Sequence, residues 1–113
     1  MEIKIGSDLA SIQKFTTSAR KGGKTFLDRL FTEEEQEQAQ SMESLAGMFA
    51  AKEAAIKALG LSAGQWKMFE IEKVGDGKPK LTLVDSDVPI ISHDVTITHD
   101  AEYAFATAVF IVE

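Results

Sequence analysis

Residues Phe49 to Lys57 read FAAKEAAIK. Alanine is the strongest helix former, yet this run sets Glu53 and Lys57 four residues apart, on one helical face with Phe49. Read outward, the helical pattern extends from Ser44 to Leu59. Leu45, Met48, Phe49, Ile56 and Leu59 recur near helical spacing, and Gly60 is the stop. Two accounts of the charged pair compete. As an exposed ion pair it contributes only about 0.3–0.5 kcal/mol. The adjoining faces, however, carry Ala50, Ala51, Ala54 and Ala55, which are small and packable. The pair therefore borders the buried stripe instead of lying opposite it.

The flanking segments set the fold class. Glu2 to Gly6 alternates, with Ile3 and Ile5 on one face and Glu2 and Lys4 on the other, which predicts a half-buried strand ending where Asp8 follows. Ser11 to Ala19 reads as a short helix closed by a Gly22-Gly23 turn, and Thr25 to Leu30 as a second short helical or turn segment. Thr32, with Glu35 three residues on, forms a capping-box pattern that starts a helix through about Gln40. After Gly64 the signals change to strands. Trp66 to Val74 and Lys80 to Val84 flank a GDGKP hairpin turn over residues 75–79. Val95 to His99 and Tyr103 to Val112 form a last pair around residues 99–102. The order predicts an α+β domain, an antiparallel sheet packed against a long central helix.

A chain of 113 residues, 44% hydrophobic and 27% charged, fits one globular domain spanning 1–113. It has no cysteine, which removes disulfides and thiolate metal sites and predicts a reducing, cytoplasmic setting. MEIKIGSD lacks a basic n-region and apolar h-region, and no stretch approaches the roughly 20 apolar residues of a membrane span. A net charge of −6 argues against nucleic-acid binding. Within it lies a basic segment: Lys14, Arg20, Lys21, Lys24 and Arg29 against Asp28 alone. That segment reads either as a solvated helix face or as a docking patch for an acidic partner.

A carboxylate from a strand end and another from a facing helix make a magnesium site. The ion takes hard oxygen ligands, commonly one or two carboxylates, with water and substrate phosphates completing its shell. Asp8 and Glu53 would serve as the metal ligands, and Lys57 would neutralise phosphate charge, provided the fold brings the three together.

The opening GSD strand, the central GMFAAKEAAIKALG, the GDGKP turn and the late ITHDAEYAFATAVFIVE resemble, in order from Ile3 to Glu113, the holo-acyl-carrier-protein synthases. These are the small, single-domain 4′-phosphopantetheinyl transferases. The resemblance implies Mg2+-dependent transfer of the phosphopantetheine arm of coenzyme A to a serine of an apo acyl carrier protein, releasing adenosine 3′,5′-bisphosphate. It puts Asp8 and Glu53 at the metal, Lys57 at the pyrophosphate and His99 at the nucleotide end of the coenzyme A site. It further implies a homotrimer with shared sites, and docking of the acidic carrier on Lys14, Lys21 and Lys24. Glu53, directly or through a water, is the candidate for the serine proton. His93 matches nothing in the family pattern and reads as a surface residue. Two positions depart from that pattern. Met48 stands where the family usually has an arginine, and Asp100 where it has threonine or serine, both toward the 3′-phosphate. A transferase is thus set against a second class, a weak or inactive relative that binds an acidic carrier or scaffolds an assembly. A plain magnesium-nucleotide domain would need a Gly-rich phosphate loop, which the chain lacks.

Overall fold

The structure, a computed structural model, describes residues 1–74, 77–84 and 86–113. Its elements run β1 (Glu2–Ser11), α1 (Ile12–Leu30), α2 (Glu33–Gln38), α3 (Met42–Leu59), a 3-10 turn (Trp66–Met68), then β2 (Phe69–Val74), β3 (Lys78–Leu83), β4 (Ile90–His99) and β5 (Tyr103–Val112). The α+β class holds, but the antiparallel strands divide into two sheets, β1-β5-β4 and β2-β3. Helix α3 packs on the three-stranded sheet and against α1.

Small residues on both sides bring α3 close to the sheet. Ala50, Ala51, Ala54 and Ala55 of α3 meet a β5 face that carries Ala104, Ala106 and Ala108, and all seven are fully buried. At Gly6 the approach is closest: a Cβ there would meet the Ala54 carbonyl oxygen and come within 2.6 Å of the Ala58 nitrogen. Phe110, Val95, Phe69, Ile71 and Leu81 complete the buried core with Phe15, Leu30 and Phe31.

This packing decides which face of β1 is inner. Alternation is present, but Gly6 and Ala10 turn to the helix while Ile3 and Ile5 are 71% and 68% exposed. The reason is steric, since a branched side chain cannot enter where the helix backbone already touches the strand. The strand also continues past Asp8 to Ser11, because its pairing with β5 runs unbroken from Glu2–Val112 to Ser11–Tyr103. Asp8 therefore lies inside a strand, paired with Ala106, and not at its end.

Other boundaries move for local reasons. Ser11 caps α1 through Lys14 N, and the helix carries to Gly22 before Gly23 (φ 60°, ψ −147°) kinks it. The capping box on Thr32 and Glu35 is present, but α2 ends at Gln38. Ser41 caps α3, so that helix starts two residues earlier than predicted, and Gly60 ends it in the left-handed conformation. Trp66 to Met68 is a 3-10 turn instead of strand. Lys78 and Pro79, expected in the turn, pair with Val74 and Lys73; Gly75 and Asp76 of that turn lie outside the described residues. Strand β4 begins at Ile90, with a register shift between Ile90 and Ser92.

Between α2 and α3 lies a buried ion pair that the sequence pattern did not distinguish. Lys52 Nζ donates to Glu35 Oε1 at 2.7 Å and to the Leu30 carbonyl at 2.8 Å, with both side chains fully buried. Glu35 also accepts from Thr32 N at 2.8 Å and from Ile71 N at 2.8 Å. Its carboxylate thus joins the start of α2, α3 and β2 at one point, and Lys52 adds the end of α1. Burial pulls the Lys52 ammonium below its usual range, and the Glu35 carboxylate pulls it back.

Candidate active site

Asp8 on β1 and Lys57 on α3 meet: Lys57 Nζ donates to Asp8 Oδ1 at 3.0 Å and to the Ser7 carbonyl at 3.2 Å. The Asp8 side chain is largely covered and the Lys57 side chain is open to solvent. Glu53 lies one helical turn before Lys57. Burial raises its carboxyl above the ordinary range and the Asp8 carboxylate pushes the same way, while Trp66 and Lys57 pull it down. These are the marks of two carboxylates close enough to repel and a cation that answers only part of that charge.

Asp8 and Glu53 open into one cleft of about 390 Å3 whose walls include Phe15, Phe49, Trp66 and Lys14. Phe15 and Phe49 pack with ring centroids 5.6 Å apart, and Phe49 and Trp66 with centroids 6.3 Å apart. The cleft is mostly apolar, its polar lining being Asp8, Glu53, Lys14, Ser11 and Ser18. Two carboxylates are all it offers a metal, since no third His, Asp or Glu joins them among the described residues. Such a donor set fits Mg2+, which keeps several waters and takes substrate oxygens, better than ions held in an all-protein cage.

The other expected site residues lie elsewhere. His99 and Met48 line a second cavity of about 230 Å3 with Gln38, Ser44, Lys73 and Pro79. The His99 Nε2 is 3.2 Å from the Glu43 carbonyl, which ties the end of β4 to the first turn of α3. Met48 is buried, so its thioether forms part of the cavity wall. Asp100 does not line that cavity. Its Oδ1 accepts from Tyr103 N at 2.6 Å and Glu102 N at 2.7 Å, and these bonds hold its carboxyl below the usual range. The position that departed from the pattern is thus occupied in closing the β4–β5 turn.

His93 is a surface residue as expected. It is fixed by stacking on Phe110 and by a 2.6 Å contact between Nε2 and the Leu81 carbonyl. Along α1, Lys14 borders the acidic cleft and Lys21 is exposed. Lys24 is held by Asp28 at 2.9 Å and approaches Glu33 at 3.7 Å. Sequence reasoning missed Trp66, which it assigned to a strand. Its one available signal was that the chain has a single tryptophan, shortly before the buried Phe69 that opens β2.

The family model of the 4′-phosphopantetheinyl transferase superfamily matches residues 4–108. The chain belongs to that superfamily. A holo-[acyl-carrier-protein] synthase of Chlamydia pneumoniae is 38% identical over 117 residues, with 95% of each chain covered. The crystal structure of Helicobacter pylori holo-[acyl-carrier-protein] synthase in complex with coenzyme A superposes with a TM-score of 0.88. It is 31% identical, over 95% of this chain and 99% of that one. The Bacillus anthracis synthase, in complex with CoA (3′,5′-ADP), gives a TM-score of 0.81 at 28% identity, over 97% of this chain and 96% of that one. Fold and transferase class follow from these likenesses. No helix among the described residues is long and apolar enough to cross a membrane.

Proposed function

We propose that this chain transfers the 4′-phosphopantetheine arm of coenzyme A to a serine of an apo acyl carrier protein. The observation that carries the reading is that Asp8 shares one cleft with Glu53 and is bonded to Lys57, in a chain of this superfamily. The serine oxygen attacks the phosphorus that bears the pantetheine arm, the pyrophosphate P–O bond breaks, and adenosine 3′,5′-bisphosphate leaves. Asp8 and Glu53 would hold Mg2+, which would supply charge stabilisation for the pyrophosphate and the leaving group. Lys57 neutralises phosphate charge, and the serine proton goes to Glu53, directly or through a water. Positioning and charge neutralisation are the main sources of rate in such chemistry. Incubation with coenzyme A, magnesium and an apo carrier, followed by the intact mass of the carrier, tests the reading. A gain of one phosphopantetheine group is expected, and an unchanged mass sinks the proposal.

The nucleotide end of coenzyme A lies at His99 and Met48. The metal group and this end line separate cavities of one chain, and the outer sheet face exposes Ile3, Ile5, Leu9, Tyr103 and Phe105. Both features support a homotrimer in which neighbours complete each other's sites and cover that apolar face. Light scattering should give the mass of three chains; a monomer at micromolar concentration refutes the arrangement.

The acidic carrier docks on α1, where Lys14 borders the acidic cleft and Lys21 is exposed, which supports a partner steered by charge. Changing Lys14 and Lys21 to glutamate should raise the KM for carrier several-fold and leave coenzyme A binding unchanged. It should also flatten the salt dependence of the rate, since exposed charges are screened over about 8–10 Å. Lys24, already held by Asp28, should contribute less. Carrier kinetics unchanged at low salt would return the segment to a solvated face.

A further inference from the structure

Among the described residues, one buried side-chain polar atom has no hydrogen-bond partner: the indole Nε1 of Trp66. Buried donors in native proteins are nearly always paired, so an orphan is explained by a partner that comes into place with a ligand. Trp66 opens the 3-10 turn ahead of β2 and packs its ring on Phe49. Phe49 precedes Glu53 by one helical turn, so the ring that seats the indole stands on the same face as the carboxylate. Trp66, Glu53 and Asp8 line one cleft. No bond of ordinary geometry forms between the indole and Glu53. An indole N–H can only donate. An acceptor that shares its cleft is the Glu53 carboxylate, one turn along α3 from the ring that seats the indole.

We propose that Trp66 is a positioning residue for Glu53: with a divalent cation in the Asp8–Glu53 site, the indole N–H donates to one Glu53 oxygen and leaves the other to face the ion. This inference rests on the magnesium site proposed above. Groups that orient a metal ligand in this way typically contribute 10–100-fold to metal affinity.

Trp66 is the chain's one tryptophan, so its emission reports from this place alone. The full chain is titrated with magnesium chloride and followed by tryptophan emission, and in parallel by calorimetry with Trp66→Phe, which keeps a ring for packing but lacks the N–H. Expected are a saturable change in emission that Glu53→Gln abolishes, and magnesium binding weakened about 10–100-fold in Trp66→Phe. Equal magnesium affinity in Trp66→Phe overturns the inference, whatever the emission does, and leaves the magnesium site standing. No magnesium binding by the unmodified chain, with or without coenzyme A, overturns both. Should Trp66→Phe not fold, the emission titration decides by itself: a change dependent on Glu53 supports the inference and none refutes it.

Discussion

Glu53→Ala removes magnesium-dependent transfer to a carrier protein, with a loss of at least about 100-fold. Groups that merely orient a metal ligand are worth 10–100-fold, and Glu53 is proposed as the ligand itself and as the way out for the serine proton. Asp8→Ala should do the same, and it also frees Lys57 from its 3.0 Å partner. The fold survives, because alanine is the best helix former and Glu53 makes no hydrogen bond that joins elements. Stability also has a definite sign here. The Glu53 carboxyl is raised in the folded chain, by burial first, so the folded state holds its proton more tightly than the unfolded one. Stability is then lost as pH rises from the unfolded value through the folded one, and it stays lost above. At neutral pH Glu53→Gln should therefore melt no lower than the unmodified chain, and the gap between their melting points should narrow on acidification. Near-normal turnover of Glu53→Ala at ordinary magnesium would refute the assignment, and a melting point well below that of the unmodified chain would refute the stability argument.

Lys52→Met costs about 3–5 kcal/mol, a large part of the 5–15 kcal/mol that holds a domain of this size together. The reason is the charge left behind. Glu35 is fully buried and keeps only two backbone donors once the 2.7 Å ammonium contact is gone. Pairing Lys52→Met with Glu35→Gln should recover more than half of that loss. No charge is then unpaired, and the amide oxygen still accepts from Ile71 N or Thr32 N. Urea melts of the two single variants and the double variant give the coupling directly. A cost below about 1 kcal/mol for Lys52→Met would mean that water enters the site and that the pair is not sealed as its burial implies. Because Glu35 joins α2, α3 and β2, the same variant should also loosen the packing of α2 and β2 on α3, next to the Met48 and His99 cavity.

Where local chemistry decides, sequence alone determined the outcome. The helix ending at Leu59, the capping box of Thr32 and Glu35 and the strand Tyr103–Val112 were all legible, because caps, glycine stops and strict alternation act within a few residues. The α+β class followed from their order. For the site, spacing placed Glu53 and Lys57 on one face at the border of the alanine stripe; Asp8 was legible as their partner from its place after the first strand, on condition that the fold brought the three together, and the family pattern supported it.

Tertiary structure decided what depends on neighbours distant in the chain. Alternation made β1 a strand without saying which face is inner; the close approach of α3 at Gly6 turned Ile3 and Ile5 outward. The Gly-Ser-Asp step reads as a stop, but ten residues of pairing with β5 carry the strand through it. Lys52 and Lys57 are the same letter five positions apart. One is sealed against Glu35 and the other reaches Asp8 at the surface, because that offset turns a helix through about 140° and the two directions meet different elements. Trp66 gave no local sign of its place beside Glu53, since the contact joins α3 to a turn whose position is set by β2 and by the Glu35 carboxylate that anchors Ile71. Periodicity records how a residue points along its own element. What it points at is fixed only when the elements pack.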